Sequence, residues 1–225
     1  LFPYTTLFRS YLSYPVNGSQ KIKNRERDGN LRDLWRTPLW LFHAFEVYLG
    51  MKFQVDVACN KDNAILPDFI GVERDALKSS WCEAGTIAFL NPPYSKIKPW
   101  IDAAAREQVN GVTTVMLVPQ SLDTQWYLDV KRSANQTVLI VGGRVAFMEP
   151  DTTLGLVEVR ENTGGSMLLV FRGFYGAAGH QTTEIDIGVM KLLGGYDPLT
   201  AKRKPRKKPV KKASPPLNKK TLKAL

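Results

Sequence analysis

Apolar residues recur along this chain at two periods, and the change of period divides it into elements. Leu41, Phe42, Phe45 and Leu49 share one helical face and predict a helix over Leu39–Leu49. Thr37 is a plausible N-cap, Pro38 suits the first helical position, and Gly50 is a natural stop. Residues 52–58 and 86–90 read as short strands. Trp100, Ile101, Ala104 and Ala105 mark a helix over 97–108, stopped by Gly111. The unbroken apolar run 112–118, ending at Pro119, has the character of a central parallel strand. Leu122, Trp126 and Val130, spaced by four, predict a helix over 122–133. Residues 137–141, 154–159 and Ser166–Phe171 complete the strands.

Alternating strands and helices predict an α/β domain: one mainly parallel sheet covered on both faces. The closing strands flank the Gly-rich stretch Asn162-Thr163-Gly164-Gly165, which predicts an antiparallel edge strand. At 225 residues the chain can bury one sizeable core. The domain is expected over residues 35–196. Residues 11–34 are polar and read as a flexible arm, and residues 197–225 read as a disordered basic tail. Residues 1–10, LFPYTTLFRS, resemble the translation of a sequencing adapter, so the fold is read without them. No stretch reaches membrane-spanning length.

Charge is unevenly distributed. Of 31 Lys and Arg, 11 fall from Lys202 onward, where there is no Asp or Glu; the remaining 20 face 21 acids. The body is thus near neutral and the tail carries the net charge of +10. Two cysteines, Cys59 and Cys82, give no disulfide framework, and a reduced cytoplasm is the default setting. His43 and His180 stand apart from any metal-ligand spacing, so no metal is expected.

Asn91-Pro92-Pro93-Tyr94 carries the most chemical information. It follows an apolar strand, and ligands of open α/β sheets bind at the carboxyl ends of strands. The Asn91 side-chain oxygen and a carbonyl held by the rigid Pro92-Pro93 turn can both accept from an exocyclic amine. Tyr94 can stack on the flat ring that bears it. The amino nitrogen of adenine is a poor nucleophile because its lone pair is delocalised. Two acceptors on its N–H groups favour a pyramidal nitrogen and so stabilise the transition state of methyl transfer. A sulfonium donor held in line adds proximity. The same tetrapeptide also suits a plain tight turn, with Tyr94 as a packing aromatic.

A donor with an adenosyl ribose calls for a carboxylate at a strand end. Asp56, near the end of its strand and followed by Val57-Ala58-Cys59-Asn60, is one candidate; Asp75 is another. As alternatives, Asp56 caps the next turn and Asp75 caps a helix. No G-x-G loop accompanies either acid.

With these residues in place, the chain resembles the phage-type, Dam-like DNA N6-adenine methyltransferases. The shared pattern runs through Trp35, Thr37-Pro38, Leu41-Phe42, Phe53, Asp56-Val57-Ala58 and Asn63-Ala64. It continues with Asp75, Leu77, Trp81, Asn91-Pro92-Pro93-Tyr94-Ser95, Trp100, Val118-Pro119, Asp123-Thr124, Trp126, Gly143-Arg144 and Phe147. The resemblance covers roughly residues 35–172. It implies a Rossmann-like methyltransferase domain, S-adenosylmethionine as donor, and adenine in double-stranded DNA as acceptor. It implies further that Asn91, Pro92, Pro93 and Tyr94 form the catalytic loop and that Asp56 and Ala58 lie in the donor pocket. Thr37 and Pro38 would lie near the donor's methionine end, with Asp75 near its adenine or ribose. Ala76 departs from the glycine common after that acid. A phage or prophage origin implies the bacterial host cytoplasm. RNA or a protein amide as acceptor, and a non-catalytic basic DNA-binding protein, are the competing readings.

An adenine in a duplex must be extruded to expose its amine, at a cost of a few kcal/mol. Lys204, Arg206, Lys207 and Lys208 in the tail are candidate phosphate contacts, or else merely solubilising. Arg144 is a candidate phosphate or base contact, or else a structural ion-pair partner. Base-specific readout is expected from loops in the region 142–165.

Overall fold

The computed structural model describes residues 33, 35–71, 73–151, 155–159, 162, 164–174 and 179–202. Its elements, in chain order, are α1 (Leu39–Leu49), β1 (Val55–Val57), β2 (Phe69–Ile70), β3 (Ile87–Leu90), α2 (Lys98–Val109) and β4 (Thr113–Pro119). These are followed by α3 (Gln125–Ser133), β5 (Gln136–Val141), β6 (Met148–Asp151), β7 (Gly155–Glu158), β8 (Ser166–Phe171), β9 (Gln181–Asp186) and α4 (Ile187–Leu193). Seven strands form one sheet in the order β2-β1-β3-β4-β8-β5-β9. The fold is α/β and Rossmann-like, as expected.

Alternation in β4 shows why the sheet is covered on both sides. Val115 and Leu117 join the core beneath α1 and α4, with Leu41, Phe45, Phe89, Leu168 and Met190. Met116 and Val118 join the core beneath α2 and α3, with Leu90, Ile101, Leu169, Phe171 and Val130. A continuous apolar run thus feeds two hydrophobic layers, as central strands of a doubly covered sheet require. α1 and α4 approach closely: a Cβ on Gly194 would stand 1.9 Å from the Trp40 carbonyl oxygen, so no larger residue fits there.

Several expectations are corrected. The antiparallel strand is not at the edge: β8 lies between β4 and β5 and is antiparallel to both. The edges are β2 and β9, each parallel to its neighbour. β8 is buried at every position, so its composition cannot report its direction. The strand expected over 154–159 leaves the main sheet and forms a separate hairpin, β6–β7. Pro38, not Thr37, occupies the N-cap of α1, and no side chain caps that end. Gly50 does terminate α1, in the left-handed region at φ 63°. α3 begins at Gln125, leaving Leu122 exposed before it. Short β2, polar β9 and the terminal α4 were not anticipated. Asp33, assigned to the arm, is docked against the domain through Ser95. A turn at 197–200 and a bond from the Glu158 N–H to the Lys202 carbonyl carry the described structure past residue 196.

Candidate active site

β1 and β3 are parallel neighbours, with Val57 opposite Leu90. The residues that follow them, Ala58 and Asn91, therefore leave the sheet at the same level. There the chain forms a cleft of about 410 Å3, its open mouth included. Thr37, Asp56, Ala58, Asn91 and Pro93 all line it. Five of the nine sequence-predicted loop and donor-pocket residues therefore meet in one place. They come from three segments of chain that only the fold brings together.

Asp56 is 4% exposed. Its Oδ2 accepts from the Ile65 N–H at 2.8 Å. Burial outweighs that bond and raises its pKa from 3.8 to about 6. Ala58 sits at φ 66°, an uncommon conformation for a residue with a Cβ. This twist turns the chain sharply at the strand end and sends Cys59 back, so that its thiol donates to the Asp56 carbonyl. Burial, then the neighbouring Asp56 carboxylate, pushes the Cys59 pKa up to about 12. Cys59 is therefore a protonated thiol and no nucleophile. Asn60 and Asn63 lock the following turn: the Asn60 N–H donates to Asn63 Oδ1 at 2.6 Å.

Thr37 is buried, and its hydroxyl has no hydrogen-bond partner. An unpaired buried hydroxyl costs about 1–3 kcal/mol. Lining a cleft, it marks a place where a polar ligand would restore a bond. The donor set fits an adenosyl group with an amino-acid tail: one buried carboxylate for hydroxyls, one hydroxyl in need of a partner, and a carboxamide at the reacting end.

Four other predicted residues do not line this cleft. Pro92 is buried behind it, and Pro38 caps α1. Asp75 is exposed; it accepts from the Leu77 N–H and pairs with Lys78 at 2.9 Å. That is the local capping alternative, and Arg106 fastens the same turn through the carbonyls of Ala76, Leu77 and Ser79. Tyr94 packs edge-on against Phe147, with centroids 6.1 Å apart. The residue as a whole is half-buried, while its hydroxyl is sealed without a partner and its pKa is raised by burial. Arg144 is exposed and donates to the Asn162 carbonyl at 3.4 Å. Lys204, Arg206, Lys207 and Lys208 lie outside the described residues.

Sequence reasoning missed Asp33, Trp35, Arg36, Asn63 and Ile65 as cleft residues. Asp33 takes the Ser95 N–H on one carboxylate oxygen at 3.1 Å and the Ser95 hydroxyl on the other at 2.7 Å. Trp35 stacks on Phe147 at 5.8 Å, and Arg36 bridges to Met148 through its backbone. The segment before α1 is therefore a wall of the cleft. Its one sequence signal was Trp35, an aromatic beside an otherwise polar stretch. Among the described residues, no His, Cys, Asp and Glu group could hold a metal, and no helix is long and apolar enough to cross a membrane.

The sheet and the cleft at its strand ends define a Rossmann-like methyltransferase. Residues 25–189 match the sequence profile of the family described as DNA N-6-adenine-methyltransferase (Dam), and the chain belongs to that family. It is an adenine-specific DNA methyltransferase. A DNA N-6-adenine-methyltransferase of Haemophilus phage HP1 (strain HP1c1) is 33% identical over 141 residues, covering 62% of this chain and 79% of the relative. One of Escherichia phage T1 is 25% identical over 182 residues, covering 75% of this chain and 74% of the relative.

Proposed function

We propose that the methyl group comes from S-adenosylmethionine and passes, on the Asn91–Tyr94 loop, to an adenine extruded from double-stranded DNA. One observation carries this reading: Asn91 and Pro93 share a cleft with the buried Asp56 carboxyl and the partnerless Thr37 hydroxyl. The bound donor supplies an electrophilic methyl on a sulfonium.

The protein's own residues do the rest. Asp56 accepts from ribose hydroxyls, and Thr37 satisfies its hydroxyl against the polar tail. Asn91 and a prolyl carbonyl accept from the two N–H groups of the adenine amine, so the nitrogen lone pair is freed to attack as charge develops. Stacking on Tyr94, worth about 1–3 kcal/mol, offsets part of the cost of extrusion. For this the ring must leave Phe147, and its sealed hydroxyl, unsatisfied in the free protein, favours that exit. The basic tail adds phosphate contacts without reading sequence. The setting is the cytoplasm of a bacterial host.

The test follows tritium from labelled donor into DNA, with RNA and protein acceptors in parallel. Asn91→Ala abolishes incorporation while calorimetry still detects donor binding. Undiminished incorporation by that variant refutes the role of the loop.

A further inference from the structure

A second hollow, about 620 Å3 with its open mouth included, begins at the residue that closes the tetrapeptide. Tyr94, Ile97, Pro99 and Trp126 supply its apolar wall, and Lys96 and Lys98 its charges. The two lysines are not equivalent. Lys98 pairs with Asp102 and, at 3.6 Å, with Asp129, so its charge is offset. Lys96 is exposed and has no acidic partner among the described residues. Trp126 is half-buried in the first turn of α3, a helix end without a side-chain cap. Such ends carry a partial positive charge.

A flat aromatic beside an unpaired cation is how proteins hold unstacked nucleic acid: the ring takes a base and the cation takes a phosphate. We propose that this hollow holds the DNA strand beside the extruded adenine, with Trp126 stacking on an adjoining base and Lys96 meeting the phosphate next to it. The proposal rests on the reading of the Asn91–Tyr94 loop as the reaction site. Continuity along the chain is its argument: Tyr94 does not line the Asn91 cleft, but it ends the Asn91–Tyr94 loop and opens the hollow, which puts Ile97 and Trp126 next in line for a strand that delivers a base to Asn91.

The test compares the full chain with Trp126→Ala, Trp126→Phe and Lys96→Ala, using unmethylated genomic DNA at two or more salt concentrations. Trp126→Ala raises KM for DNA about tenfold or more, the loss of one stacked base. Trp126→Phe restores most of it, and donor affinity by calorimetry is unchanged in both. Lys96→Ala makes the slope of log affinity against log salt shallower by about 0.9, the release of one counterion. An unchanged KM in Trp126→Ala, or an unchanged salt slope in Lys96→Ala, overturns the proposal. So does a fall in donor affinity as large as the loss of DNA affinity, which marks general damage. If Trp126→Ala does not fold, the phenylalanine and lysine variants decide. Asn91→Ala judges the reaction site separately, since it removes methyl transfer while DNA affinity, read by filter binding, stays that of the parent.

Discussion

On the proposed reading, Asp56 trades stability against donor binding. Its folded pKa of about 6 stands above the ordinary value of 3.8, so the folded state binds the extra proton. Its contribution to stability is fully present below 3.8 and is lost as pH rises through about 6, a loss on the order of 3 kcal/mol. Donor binding runs the other way, because only the ionised carboxylate accepts from two hydroxyls. Asp56→Asn keeps an acceptor for the Ile65 N–H but no charge. At pH 8 it melts at a higher temperature than the parent, yet binds donor about 10–100-fold more weakly, as expected for losing a charge-assisted bond. The parent's donor affinity falls as pH is lowered through 6, and the variant's stays flat; scanning calorimetry and titration across pH check both. Asp56 and Asn91 were legible in the sequence because one lies near the end of a short strand and the other directly follows an apolar one. Asp33 was not: a lone acid in a polar stretch looks the same whether it faces solvent or a loop 62 residues away.

Among elements, the legible ones were those that bury a face. α1, α2, β3, β4 and β8 carry an apolar stripe or run, and each lies within a few residues of its expected bounds. β9, Gln-Thr-Thr-Glu-Ile-Asp, exposes most of its side chains at the sheet edge and so offers no such signal. β2 spans only two residues, and α4 is a single short helix recognisable only once Met190 is seen to be buried. The 3-10 turn Tyr94–Lys96 after the tetrapeptide is held from outside by Asp33, across two hydrogen bonds. Asp33→Ala frees that turn and lowers kcat about tenfold to a hundredfold, since small misplacements of reacting groups carry costs of that order. Asp33→Asn, which can still bond both Ser95 groups, recovers most of the rate. Steady-state kinetics of the two variants checks this; equal rates in all three proteins would show the clamp to be idle.

At the scale of the whole molecule, charge and catalysis occupy different parts of the chain. Residues 203–225 hold ten Lys and Arg and no acid, against a near-neutral body. Removing them makes the salt dependence of DNA binding shallower by several units of slope, with about 9 as the ceiling, and leaves kcat at saturating DNA unchanged. Filter binding across salt, paired with tritium transfer, checks this; an unaltered slope would make the tail a bystander. The seven-stranded sheet also fixes an order of construction. β8 pairs with β4 on one side and β5 on the other, so both lie open until residues 166–171 have been synthesised. A nascent chain emerging from the ribosome would already carry the whole reaction loop, yet the strand beside it would bare a row of unpaired amides. Half-made copies are the ones prone to clump, and methylating power arrives only once β8 has been made.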